Sequence, residues 1–135
     1  MPIPAFSTAW ADALLDAVNA DTNYRDAGKA WTNPVALVVE PGHGVTDGVA
    51  VQVDLQAGSC LRAESLHPTA VSAPFVLSAD LPTWKDIVDG LRDPLSSVAL
   101  GKVRLTRGSM GTLLLHARSA KALVACAQKI DTLWP

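Results

Sequence analysis

A chain of 135 residues has room for a single domain with one substantial core. Charged residues are only 18% and the formal net charge is −2, with acids and bases interspersed, so no positive field arises to hold nucleic acid or an anionic membrane. Hydrophobic residues reach 49%, the apolar edge of the soluble range; the surplus suits an Ala- and Val-rich core, or apolar side chains that line a ligand cavity as well.

In chain order, Ser7 is a candidate N-cap behind Phe6. Trp10, Leu14 and Val18 then recur at four-residue spacing and predict an amphipathic helix to about Ala20. Asp21 can cap a second, short helix with Tyr24, Ala27 and Trp31 on one side. Asn33-Pro34 ends it, because the residue before proline is pushed out of the helical region. "VALVVE" (35–40) reads as a strand apolar on both faces, as befits one covered on both sides or lying beside a cavity. After the turn "PGHGVTDG", "VAVQVDLQ" (49–56) alternates, placing Val49, Val51, Val53 and Leu55 on one face. Ala57-Gly58 reads as a hairpin turn into a third strand around "SCLRAES", and "APFVLSAD" as a fourth with Phe75 and Leu77 sharing a face.

Beyond residue 80 the period changes. Pro82 suits a first helical turn, and Trp84, Ile87, Val88 and Leu91 fall at i, i+3, i+4 and i+7. Asp93-Pro94 starts another short helix that Gly101 ends, and "KVRLTR" is a fifth strand with Val103 and Leu105 inward. Ser109 caps a last helical region expected to run to about Asp131, with a break near Arg118–Ser119. Helices segregated from a meandering, mainly antiparallel sheet predict an α+β fold in one domain, 1–135, with a helical pair at 7–31 and a sheet-and-helix core at 34–135.

The residues that carry chemistry do not assemble into a reactive pattern. Gly108 and Gly111 flank a strand-to-helix turn, but "RGSMGTL" lacks the length and the lysine of a phosphate loop, and two glycines do not make a dinucleotide fingerprint. His43, His67 and His116 have no ligand spacing with one another or with a neighbouring Cys, Asp or Glu. There is no G-x-S-x-G elbow, which leaves Ser59 and Cys60 in a turn. Asp86 and Asp89 share a helix side as a carboxylate pair or, more simply, as a solvated face. No metal, cofactor or catalytic constellation is expected. Cys60 and Cys126 lie far apart and outside a C-x-x-C pattern, which points to a reducing compartment. The start "MPIPAFSTAW" is unlike a secretory signal, and His116, Arg118 and Lys121 interrupt the apolar tract 110–127, so neither export nor membrane insertion is expected. The expectation is a cytoplasmic protein, monomer or homodimer.

What remains is apolar surface, above all "MGTLLL" (110–115). The segment before it, "DPLSSVALGKVRLTRGSM" (93–110), resembles the signature of the sterol carrier protein 2 family. Members carry an Asp-Pro pair, a short helix with an alanine, Gly-Lys, an alternating strand, then Lys-Gly and a small or polar residue. Here these are Asp93-Pro94, Ala99, Gly101-Lys102, Val103-Arg104-Leu105 and Arg107-Gly108-Ser109, with Arg107 in place of the usual lysine. "FVLSADLPTWKDIVDGLRDP" resembles the preceding family segment, and "WADALLDAVNADTNYRDAGKAWTNPVALVVE" is similar to the helical pair that opens stand-alone bacterial members. The likeness spans essentially the whole chain.

The resemblance implies a five-stranded, mainly antiparallel sheet covered by helices, with an apolar tunnel between the two. It implies non-enzymatic binding, and intracellular transfer, of a hydrophobic ligand such as a sterol-like lipid, a fatty acid or an acyl-CoA. On the apolar faces identified above, that site would draw Leu37, Val39, Val51, Val53, Phe75 and Leu77 from the sheet. Trp84, Ile87, Val88 and Leu91 would come from one helix, and Met110, Leu113 and Leu114 from another. The alternative is an accessory or assembly module, since such domains also occur as appendages of larger enzymes; Trp134 and the apolar last helix would be its contact surface.

Overall fold

Side-chain caps set the helices of the computed structural model, which describes residues 1–135. Ser7 accepts from the Trp10 amide at the start of α1 (Thr8–Ala20), and Asp21 accepts from the Asn23 and Tyr24 amides at the start of α2 (Thr22–Ala27). Asp80 and Asp93 do the same for α3 (Leu81–Val88) and α4 (Pro94–Ala99), each with a proline in the first turn. Ser109 caps α5 (Met110–Leu115), and α6 (Ala117–Ala127) follows after a break at His116. The break thus comes two residues earlier than the expected Arg118–Ser119. Helix α2 stops at Ala27, so Trp31 stands beyond it in the segment leading to the sheet.

The main sheet has five strands in the order β4-β3-β2-β5-β6: β2 (Pro34–Val39), β3 (Val49–Gln56), β4 (Ser59–Leu66), β5 (Phe75–Ala79) and β6 (Arg104–Arg107). Neighbours are antiparallel except β2 and β5, which run parallel with Leu37 opposite Leu77. The hairpin turn at Ala57-Gly58 has both residues at positive φ, as a tight two-residue turn requires. One pairing was not expected from the sequence: β1 (Ile3–Pro4) lies parallel to β7 (Thr132–Leu133) and ties the two chain ends together.

Strand β2 is covered on both faces. Val35, Leu37 and Val39 join the main core with α1, α3 and α6, while Ala36 and Val38 join Ala50, Ala73 and Val76 in a small cluster behind the sheet. Helix α1 buries Trp10, Ala11, Leu14 and Val18 and runs along β4, where Asn19 both donates to the Cys60 carbonyl and accepts from its amide. Ser65 of β4 donates to the Phe6 carbonyl at the head of the same helix. Trp84 crosses the layers, its indole N–H donating 2.8 Å to the Val38 carbonyl. Trp134 packs, partly buried, against the main core and does not stand free as a contact surface.

Of the two glycines in "RGSMG", only Gly108 has a conformational reason to be glycine. Its φ is +109, and a Cβ there would lie 2.5 Å from the Phe75 ring, whereas a Cβ on Gly111 would meet nothing closer than 3.7 Å. Gly108→Ala is therefore expected to destabilise the fold by about 1–3 kcal/mol or more. Gly111→Ala, in a helix, should stabilise it by roughly 0.4–1 kcal/mol. Urea unfolding of the two variants beside wild type checks the opposed signs.

Candidate functional site

The sheet and its helices do not meet everywhere, and between them lies a cavity of about 50 Å³. Its floor is Val35 and Leu37 of β2, Leu55 of β3, Leu77 of β5, and Val103 just ahead of β6. Its roof comes from Trp84 and Ile87 of α3, Pro94, Leu95 and Val98 of α4, and Leu113 of α5. The break residue His116 and, from α6, Ser119, Ala120, Leu123 and Val124 add a further wall, the α6 residues turning one helix face into the space. Trp31 completes the lining and meets the His116 ring edge-on, with centroids 5.2 Å apart.

Apart from His116 and Ser119, no polar side chain lines the cavity. One water needs roughly 10–15 Å³, and pockets for drug-sized ligands run to about 300–1,000 Å³. The space is a narrow, partly open slot. Its apolar walls offer water few partners, and it admits a long chain only when a wall moves. A second space of about 10 Å³ lies toward Phe6, Trp10, Leu14, Val88 and Ala127. Leu37, Trp84, Ile87, Leu123 and Val124 border both spaces, so rearranging those side chains would join them.

Five of the thirteen residues expected to form a ligand site border the main cavity: Leu37, Leu77, Trp84, Ile87 and Leu113. Val88 borders the smaller space only. Val39, Val51 and Val53 are fully buried in the main core and border neither space. Phe75 sits behind the wall, edge-on to Trp31 and against Gly108. Leu91 is 77% exposed because α3 ends at Val88 and Gly90 takes a positive φ, which breaks the i+7 relation. Met110 and Leu114 are 41% and 57% exposed, since the short α5 turns only Leu113 inward before the chain bends at His116. The α6 face is the main omission. Its signal was present, because residues 116, 120, 123 and 124 have one-face helical spacing.

The groups with ordinary reactive potential are occupied structurally. Burial pushes the Cys60 thiol up to about 11 and, with the Asp21 carboxylate beside it, the Cys126 thiol up to about 12, so both stay protonated. Asp86 pairs with Arg92 and Asp89 with Lys85, each carboxylate going to its own cation. His67 caps a single 3-10 turn at Pro68–Ala70, and His43 lies in the positive-φ turn between β2 and β3. No helix is long and apolar enough to cross a membrane.

No family model and no curated protein matches the chain, but solved structures do. A crystal structure of sterol carrier protein 2 is 35% identical, covering 93% of this chain and 98% of that one, with a TM-score of 0.90. A conserved hypothetical protein of Thermus thermophilus, solved in solution, is 34% identical over 95% of this chain and 90% of its own, with a TM-score of 0.87. Sterol carrier protein 2 of Yarrowia lipolytica in its apo form shares the fold at 13% identity and a TM-score of 0.58, over 87% of this chain and 88% of its own.

The cavity wall on α6 is held in place by Asp21. Its Oδ2 accepts from Lys129 Nζ at 2.9 Å and Cys126 Sγ at 3.2 Å, while Oδ1 caps α2. The bond from Lys129, then that from Cys126, hold the Asp21 carboxyl down to about 2 from an ordinary 3.8. A carboxylate with a lowered folded pKa adds stability above its ordinary value and loses it as pH falls toward the folded one. Asp21→Asn, which still caps a helix, is therefore expected to be less stable than wild type at neutral pH, with the gap closing between about pH 4 and pH 2. Denaturant unfolding of both proteins across that range measures the gap.

Proposed function

The chain belongs to the sterol carrier protein 2 family, and from that premise we propose that it binds a hydrophobic small molecule between sheet and helices and hands it on chemically unchanged. The candidates are a sterol-like lipid, a fatty acid or an acyl-CoA. The observation that supports this reading most is the cavity itself, a space whose walls are almost wholly apolar in the interior of a small protein. Protein interiors are ordinarily close-packed, and an unfilled apolar space forfeits contact energy that a ligand would restore.

The energetics suit an apolar guest. Removing a sixteen-carbon chain from water is worth on the order of 11 kcal/mol, at about 0.8 kcal/mol per methylene. Association and ordering cost about 4 kcal/mol or more, and moving the roof costs further. The remainder, about 7 kcal/mol or less, corresponds to affinities of about 10 μM or weaker, since 1 μM requires about 8 kcal/mol. Binding of that strength allows uptake and release, which transfer needs.

The roof is the wall that moves. The floor is locked by strand pairing on both sides of β2. In the roof, α4 buries only Ser97 and α5 only Leu113, so few apolar contacts oppose their displacement. Leu37, Leu77, Trp84, Ile87 and Leu113 then contact the guest from both sides.

Purified protein is expected to carry lipid detectable by native mass spectrometry and to bind cis-parinaric acid, which natural fatty acids displace. Ala120→Leu, which fills the slot from α6, should weaken cis-parinaric acid binding at least about tenfold while the unfolding temperature holds or rises. A protein that carries no lipid and binds no probe would overturn the reading.

A further inference from the structure

The two polar side chains of the cavity both come from the start of α6, and a third hydroxyl stands behind them. Ser119 is only 4% exposed and lines the space, as does His116, the residue on which the chain bends into α6. Tyr24 of α2 is fully buried, and its hydroxyl has no hydrogen-bond partner. The Ser119 hydroxyl comes within reach of the Tyr24 phenol, but the contact falls short of well-formed hydrogen-bond geometry. A buried hydroxyl without a partner is costly, and phenylalanine would fill the same volume without that cost. The arrangement is explained if something absent from the free protein completes it.

We propose that Tyr24, His116 and Ser119 form a head-group site for a carboxylate at one end of the cavity, so that the preferred guest is a free long-chain monocarboxylic acid. This rests on the lipid-binding reading above and narrows it. Two hydroxyls and an imidazole N–H supply donors, and the carboxylate supplies only acceptors. Burial pushes the Tyr24 phenol up to about 12, so it keeps its proton and remains a donor at ordinary pH. No side chain caps α6, an eleven-residue helix, so the positive end of its dipole faces the same spot. The hydrocarbon tail then runs between the leucines and valines of floor and roof, away from the polar end.

The test uses Nile red, an uncharged probe, displaced in turn by palmitic acid and by methyl palmitate. These two share a chain and differ at the head. Wild-type protein is expected to prefer the acid by about tenfold or more, the scale of a hydrogen bond to a charged group. In the double variant Tyr24→Phe/Ser119→Ala the preference should shrink to about twofold, because the acid loses more affinity than the ester. Loss of cavity shape alone would weaken both compounds together and leave their ratio intact. Equal displacement by acid and ester in wild type, or a preference that survives in the variant, would overturn the head-group site and leave lipid binding standing. If neither compound displaces the probe, the lipid-binding reading falls, and this site with it. Should the double variant fold poorly, Ser119→Ala alone is read in its place, and an acid-to-ester ratio equal to that of wild type would overturn the site.

Discussion

One carboxylate ties α6, a wall of the cavity, to the start of α2. Asp21 caps α2 with one oxygen and holds the far end of α6 through Lys129 and Cys126 with the other. Gln128 adds a hydrogen bond from the end of α6 to the Ile87 carbonyl of α3, so α6 is fixed against both of its neighbours. The consequence is geometric. A helix held by its end contacts keeps its inward face at a set height above the sheet, and the side chains on that face are too small to fill the distance. Ala120 stands where a leucine would close the space.

The same arrangement separates polar from apolar chemistry. The far end of α6 is tied down by ionic contacts at the surface, and its beginning carries the few polar groups that face inward. Between them lie Leu123 and Val124 over a floor of branched aliphatic residues. A guest with a polar head and a long tail matches that gradient along its length. The walls differ in rigidity as well. The floor strands satisfy their backbone groups with one another, whereas α4 and α5 are single turns or little more that bury one side chain each. Lateral hydrogen bonding makes the sheet a fixed template, and sparse burial makes the roof adjustable.

Much of this architecture was legible in the sequence because it depends on near neighbours. Ser7, Asp21, Asp93 and Ser109 cap helices where their positions before apolar runs predict. The alternation of Val49, Val51, Val53 and Leu55 places all four on the core side of β3. The ordered set from Asp93 to Ser109 pointed to the family to which the chain belongs. Less legible was the length of each helix. Leu91 fits the period of α3 but lies past its end, because Gly90 and the C-cap at Asp89 stop the helix first. Met110 and Leu114 fit an apolar stripe, yet a helix of six residues has one inward position to offer.

By itself, then, the sequence determined the α+β fold, the caps and the strand faces, which follow from local periodicity and short-range hydrogen bonding, and it pointed to the kinship through its resemblance to a family motif. Only the tertiary structure decided which buried residues are wall and which are filling. Val53 and Leu55 share one face of one strand, but the first is packed into the filled core and the second borders the cavity. Periodicity reports the direction of a side chain and carries nothing about what stands opposite. The pairing of β1 with β7 and the approach of Tyr24 to Ser119 are of the same kind, contacts between residues about a hundred positions apart in the chain. Their partners are chosen by packing, which no local pattern encodes.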